Sequence, residues 1–164
     1  MITSKETALE NLHKRHPMFN QWSKKLRADK ELMLETVKYD GLYLQYASKA
    51  LQGDKEVVLA AVSDDGWALK YASETLQDDR SIVLTAIKNN GHTLIYASDR
   101  LQADRELVLA AVKQKGSALY YAADEFKNDK HVVLTAIEQD PDALQYASPE
   151  LRKLIKRAEE KSDK

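Results

Sequence analysis

Residues 54–78 read DKEVVLAAVSDDGWALKYASETLQD, and the same phrase recurs in unbroken 25-residue register, opening at Asp29, Asp54, Asp79, Asp104 and Asp129. Five copies without insertion or deletion make a tandem array, in which a unit can hide its apolar side only against its neighbours. Reading one unit therefore settles the architecture of the chain.

Each unit opens on Asp, a strong helix N-cap whose carboxylate accepts from the free N–H groups of the first turn. A basic residue follows in every copy: Lys30, Lys55, Arg80, Arg105 and Lys130. Next comes LMLETV, VVLAAV, IVLTAI, LVLAAV or VVLTAI. So β-branched a run also suits a strand, and a strand-and-turn solenoid is the rival reading. Helix is preferred because Asp and Gly punctuate the run, alanines favour helix, and apolar and polar residues do not alternate. Gly41, Gly66, Gly91 and Gly116 are expected to close this helix in the left-handed conformation. Pro141 stands at that place in the last copy and cannot adopt it, so a different ending is expected there.

A second, shorter helix is predicted over LYLQYAS, WALKYAS, HTLIYAS, SALYYAA and DALQYAS. It ends at a Ser, or at Ala123, placed to cap a brief turn carrying Leu51, Leu76, Leu101, Phe126 or Leu151. At about 100° per residue, Val57, Val58, Leu59, Ala61 and Val62 cover an arc of roughly 200° on the first helix. Such an arc needs a neighbour on each side. On the second helix Ala68, Leu69, Tyr71 and Ala72 turn inward, while Trp67, Lys70 and Glu74 share the outward face.

Residues 1–28 fit the register as a degenerate N-terminal capping repeat, with Leu9, Leu12, Phe19 and Leu26 at the apolar places. Residues 29–153 hold the five repeats. A final helix starts at Ser148 and Pro149, and its end and tail, 154–164, complete a C-terminal cap. The expected fold is all-α: a right-handed-type α-solenoid of five two-helix repeats between two caps.

No cysteine is present, so disulfides and thiolate metal sites are excluded and a cytoplasmic location is expected. The first 20 residues lack the apolar core of a signal peptide, and no apolar run approaches the roughly 18 residues of a membrane helix. Net charge is −1, distributed as +4 over residues 1–28, +2 over 150–164 and −7 over the repeats between. An acidic middle is a poor surface for a phosphate backbone.

An Asp-initiated VVLxAV, then GxALxYAS, then a closing Leu with Gln resembles the repeats collected as domain of unknown function 4116. The resemblance covers residues 29–153 and implies tandem helical repeats, with no established catalytic residues to carry over. The first 28 residues and Pro141 depart from the pattern.

Tyr46, Tyr71, Tyr96, Tyr121 and Tyr146 form a ladder at one repeat position. A stacking platform for bases or sugars is conceivable. Packing between successive second helices, each hydroxyl finding an acceptor, accounts better for identity in every copy. Positions that differ between copies are more informative. The outward face holds Leu42, Gln45 and Lys49; Trp67, Lys70 and Glu74; His92, Ile95 and Asp99; Ser117, Tyr120 and Asp124; then Asp142 and Gln145. Leu42, Trp67, Ile95 and Tyr120 would form an apolar strip rimmed by charge, with Trp67 as anchor, although Trp67 could instead fold over the neighbouring repeat.

Asp64 and Asp65 sit at a helix end where the dipole disfavours negative charge, and Asp40 and Asp140 repeat the pattern. A basic segment of a partner would compensate them; solvation is the plainer account. His92, Asp99 and Tyr120 do not supply a nucleophile, base and oxyanion stabiliser together. No HExxH, phosphate-cradling glycine loop or EF-hand loop occurs, so no catalytic, cofactor or metal residue is assigned. His13 and His16 lie among Lys14, Arg15, Lys24, Lys25 and Arg27, a basic cap that solvation explains.

The expectation is a non-enzymatic scaffold binding a protein or peptide through Leu42, Gln45, Trp67, Lys70, His92, Ile95 and Tyr120, with Asp64 and Asp65 facing a basic segment. Nucleic-acid binding through the basic N-terminal cap, and a structural or self-assembling spacer, are the alternatives.

Overall fold

The computed structural model describes residues 1–12 and 19–162. The Val-rich runs are helices, which disposes of the strand reading. They are α3 (Lys30–Tyr39), α5 (Lys55–Asp64), α7 (Arg80–Asn89), α9 (Arg105–Gln114) and α11 (Lys130–Gln139), and α1 (Lys5–Leu12) is their counterpart in the N-terminal unit. Between them lie the four-residue helices α2 (Lys24–Arg27), α4 (Lys49–Gln52), α6 (Glu74–Gln77), α8 (Asp99–Gln102) and α10 (Asp124–Lys127). The chain closes on α12 (Pro149–Ser162). Substantial contacts run within a unit or to the adjoining one, so the units stack in a line as an all-α solenoid.

The Asp N-caps act as expected: Asp54 accepts from the amides of Glu56 and Val57 at 3.0 and 3.2 Å, and Asp29 from Leu32 at 2.9 Å. On α5, Val57, Val58, Ala61 and Val62 are fully buried, but Leu59 is 39% exposed. The buried arc is therefore about 140° rather than 200°, at 100° per residue. The leucine shared by every copy stands at its edge.

The second helix is a 3-10 helix, over Gly41–Tyr46, Gly66–Tyr71, Gly91–Tyr96, Gly116–Tyr121 and Pro141–Tyr146. Six residues at about 2 Å rise run roughly 12 Å, further than the same six would reach as α-helix. An Asx side chain opens most of these helices: Asp40, Asp65, Asn90 and Asp140 accept from the amide two residues on, at 2.8–3.0 Å. Lys115 in the fourth copy has no such bond.

The glycines are not left-handed, since no described residue has a positive φ. Their reason is close approach. A Cβ on Gly66 would sit 2.6 Å from the Ala86 carbonyl oxygen of the next unit, and one on Gly91 2.5 Å from that of Ala111. The glycine N–H also crosses the boundary: Gly41 donates to Asp64 at 2.8 Å, Gly66 to Asn89 at 3.0 Å, and Gly91 to Gln114 at 2.8 Å. Pro141 does not alter the helix ending. Asp140 has φ −149° and ψ 106°, matching Asn90 at −151° and 117°. Proline is accommodated at the first position of the 3-10 helix, where its fixed negative φ fits and its missing N–H has no partner within the helix.

One more row of bonds ties the units together. Backbone N–H groups of Ser48, Ser73, Ser98, Ala123 and Ser148 donate to the carbonyls of Arg27, Gln52, Gln77, Gln102 and Lys127 at 2.7–3.1 Å. Ala123 keeps this backbone bond but gives up the Oγ cap that Ser48, Ser98 and Ser148 provide to the amides of Leu51, Leu101 and Leu151. Within a unit, Gln52 and Gln77 turn back and donate through Nε2 to the Leu44 and Leu69 carbonyls at 3.1 and 3.0 Å, closing the 3-10 helix.

The N-terminal cap holds its expected place. Ser23 N–H, which in later copies would reach the preceding unit, donates to the Ile2 carbonyl at 2.9 Å. The C-terminal cap is less complete than expected. Leu154 stands where earlier units have the N-capping Asp, so α12 runs straight on. Leu151 and Ile155 are buried along it, but Leu154 is 61% exposed.

Candidate functional site

With three residues per turn, side chains three apart on a 3-10 helix eclipse one another. Each unit therefore offers two residues on its outward side: Leu42 and Gln45, Trp67 and Lys70, His92 and Ile95, Ser117 and Tyr120, Asp142 and Gln145. The four-residue helices carrying Lys49, Glu74, Asp99 and Asp124 follow a break in the chain, so these residues do not continue the same helical face.

The two positions behave differently. Trp67 is half-buried and sets its ring edge-on to Tyr96 of the next unit, centroids 5.8 Å apart. His92 repeats the contact on Tyr121 at 6.1 Å, and its Nε2 lies 2.8 Å from Ser117 Oγ. In these units the first residue of the pair thus serves the junction, and Trp67 folds over its neighbour rather than standing free as an anchor; Leu42 is half-buried and Asp142 exposed. Gln45, Lys70, Ile95 and Tyr120 are exposed. Ile95 is 40% and Tyr120 59% accessible, on adjacent units. Tyr120 is held edge-on to Tyr121 and Tyr146 at 5.1 and 5.5 Å, and Lys127 Nζ lies 5.9 Å from its ring centre. Such rings present a rigid apolar surface at little cost in side-chain entropy.

The tyrosine ladder packs between units as expected, but its hydroxyls do not find acceptors. Among the described residues, those of Tyr71, Tyr96, Tyr121 and Tyr146 bond to no protein group, and none is sealed from water.

Asp64 and Asp65 have work inside the fold. Asp64 accepts the Gly41 N–H of the preceding unit, and Asp65 accepts from Trp67 at the start of a 3-10 helix, where the dipole favours negative charge. Asp40 and Asp140 act as Asp65 does. The end of one helix is the beginning of the next, a signal the sequence could have yielded had residue 40, 65, 90 and 140 been read as Asx caps. The reason for assigning Asp64 and Asp65 to a basic partner falls away.

His92 and Asp99 share no bond, since the imidazole faces Ser117. In the basic cap, Lys24 and Lys25 are exposed, whereas Arg27 Nη2 donates to the Phe19 carbonyl at 2.9 Å. His13, Lys14, Arg15 and His16 lie outside the described residues. Among the described residues no group of side chains could hold a metal ion, and no helix is long and apolar enough to cross a membrane.

The recurrent Asp-plus-cation pair, noted in the sequence only as punctuation, forms a row of ion pairs across the boundaries. Lys30 reaches Asp54 at 2.8 Å, Lys55 reaches Asp79 at 2.6 Å, Arg80 reaches Asp104 at 2.9 Å and Arg105 reaches Asp129 at 2.5 Å. Lys5 extends it to Asp29 at 3.6 Å. The ammonium of Lys30 and the Val57 and Glu56 amides hold the Asp54 carboxyl below the usual carboxylate range. Lys55 and the Ser81 hydroxyl do the same for Asp79, and Arg105 and the Val132 amide for Asp129. Each Asp caps its own helix and receives the preceding unit's cation, so charge and hydrogen bonding act together.

No curated protein and no solved structure matches the chain. The family described as Domain of unknown function (DUF4116) matches residues 4–52, 54–102 and 104–152, two 25-residue units at a time. The first match begins at residue 4, so the worn N-terminal unit is one of the series instead of departing from it. With three tandem matches across most of its length, the chain belongs to the DUF4116 family.

Proposed function

We propose that the array is a non-enzymatic scaffold that holds a protein or peptide segment along the exposed side of its 3-10 helices. The observation that carries this reading is the pairing of Ile95 and Tyr120 on adjacent units: both exposed and outside the hydrogen-bond and ion-pair rows that join the units, with the Tyr120 ring braced by Tyr121 and, across the boundary, by Tyr146. Exposed apolar residues beside polar groups are the anatomy of an interaction surface. Gln45 and Lys70 supply the polar rim. The −7 balance of the repeats suits a partner segment with basic residues, drawn by the field of the array rather than by Asp64 or Asp65. A cysteine-free chain suits the cytoplasm.

The test is affinity capture with the intact chain and with an Ile95→Asp, Tyr120→Asp double variant. Loss of the captured protein is expected, with Lys113→Asp on the first helix of the fourth unit as an unaffected control. Equal capture by all three chains would place the binding surface elsewhere.

A further inference from the structure

At every internal boundary the first helix of one unit covers two apolar side chains of the unit before it. Val37, Val62, Ile87 and Val112 are fully buried there, as are Leu44, Leu69, Leu94 and Leu119. The last unit keeps the same residue types, Ile137 and Leu144, yet both are only partly covered. Beside Leu144 opens a cleft of 380 Å³ with Pro141, Asp142, Leu144 and Gln145 on one wall and Arg152 and Lys156 of α12 on the other, so two cations outnumber one acid. The N-terminal end differs: the place held by Val57 in the second repeat is taken by Thr7, which is exposed, and Glu10 is exposed beside it. One end of the stack has been made polar and the other has not.

We infer that the C-terminal end is a docking site for a short acidic helix supplied by a partner protein. The internal boundaries are the template for what fits there: a helix with carboxylates in its first turn and apolar residues behind them. Lys130 is the counterpart of Lys30, Lys55, Arg80 and Arg105, and among the described residues it has no carboxylate partner. Lys130 lacks the acid that its counterparts have, and the occupant brings it.

The occupant is not a second copy of this chain. Stacking in series would bring a helix-backbone carbonyl to the place where even a lone Cβ at Gly66 or Gly91 lies 2.5–2.6 Å from oxygen, and Pro141 fills that place. Stacking end face to end face would set Lys130, Arg152 and Lys156 against themselves. A helix ending one turn earlier than α5 clears the proline, because the crowding carbonyl belongs to the last turn.

The probe is a side-chain-stapled helical peptide with the sequence of residues 54–60 carrying K55E, titrated into the ¹⁵N-labelled intact chain. Saturable amide shifts confined to the surroundings of Lys130, Ile137, Leu144 and Arg152 are expected. Lys130→Glu, an exposed change that leaves folding untouched, should weaken binding at least about threefold; Leu144→Asp should abolish it, with circular dichroism confirming the fold. A control peptide with Lys in place of both leading acids should not bind. Absence of shifts, shifts centred on Ile95 and Tyr120, binding indifferent to Lys130→Glu, or dilution-dependent shifts at Leu144 revealing self-association would each overturn the inference.

Discussion

The seam between units and the outward side of the 3-10 helices are built from the same 25-residue phrase, but they obey different rules. At the seam the residue type is repeated or chemically matched. An acceptor answers each glycine N–H, whether Asp64, Asn89 or Gln114, and a cation answers each Asp cap. On the outward side Gln45, Lys70, Ile95 and Tyr120 share nothing but exposure. Repetition within one chain thus marks where a bond must be remade at every step, and variation marks where none is required.

The contrast can be broken most forcefully at its apolar centre. Leu94→Ala empties a fully buried site and should cost about 2–5 kcal/mol, read as a fall in the denaturant midpoint. Gly91→Ala should cost about 1–3 kcal/mol or more by forcing two units apart, whereas Gly53→Ala, whose new Cβ would meet its nearest atom at 3.5 Å, should be nearly silent. A neutral Gly91→Ala would show that the seam is looser than its spacing implies.

Charge at the seam should matter less. Asp79→Ala removes a cap worth about 1 kcal/mol and one ion pair. Because the folded carboxyls of Asp54, Asp79 and Asp129 lie below their unfolded values, their stabilisation is present above about pH 4 and fades as pH falls through the folded values. The denaturant midpoint of the wild-type chain should therefore drop between about pH 4 and pH 2, and drop less in Asp79→Ala. Smallest of all, Tyr120→Ser, which gives up its ring contacts with Tyr121 and Tyr146, should cost about 0.5–1 kcal/mol while weakening partner binding. A loss well beyond that would make Tyr120 chiefly a seam residue.

The line of helical units was legible because the register, the Asp caps and the apolar arc are properties of one stretch of chain. What escaped the sequence depended on the next unit. The glycines read as left-handed caps because that is their usual local role, whereas their actual constraint is the Ala86 or Ala111 carbonyl about one unit away. The second helix read as α because Leu69 and Tyr71 suit either helix. Of the site residues, Ile95, Tyr120, Gln45 and Lys70 were correctly read as outward-facing. Trp67 and His92 were misplaced, since whether a large side chain faces water or lies along its neighbour is decided by Tyr96 and Tyr121, each in the following unit.

The backbone bond from Ser48 to the Arg27 carbonyl recurs at every later boundary with the same offset. Duplication or loss of a whole unit would leave each junction with its donor and acceptor in place, while a one-residue frame slip would misalign every row together. Lineages carrying such a chain can lengthen or shorten it in whole steps, and those steps transplant the outward pair intact, so a new recognition surface can be assembled by shuffling units without redesigning how they join.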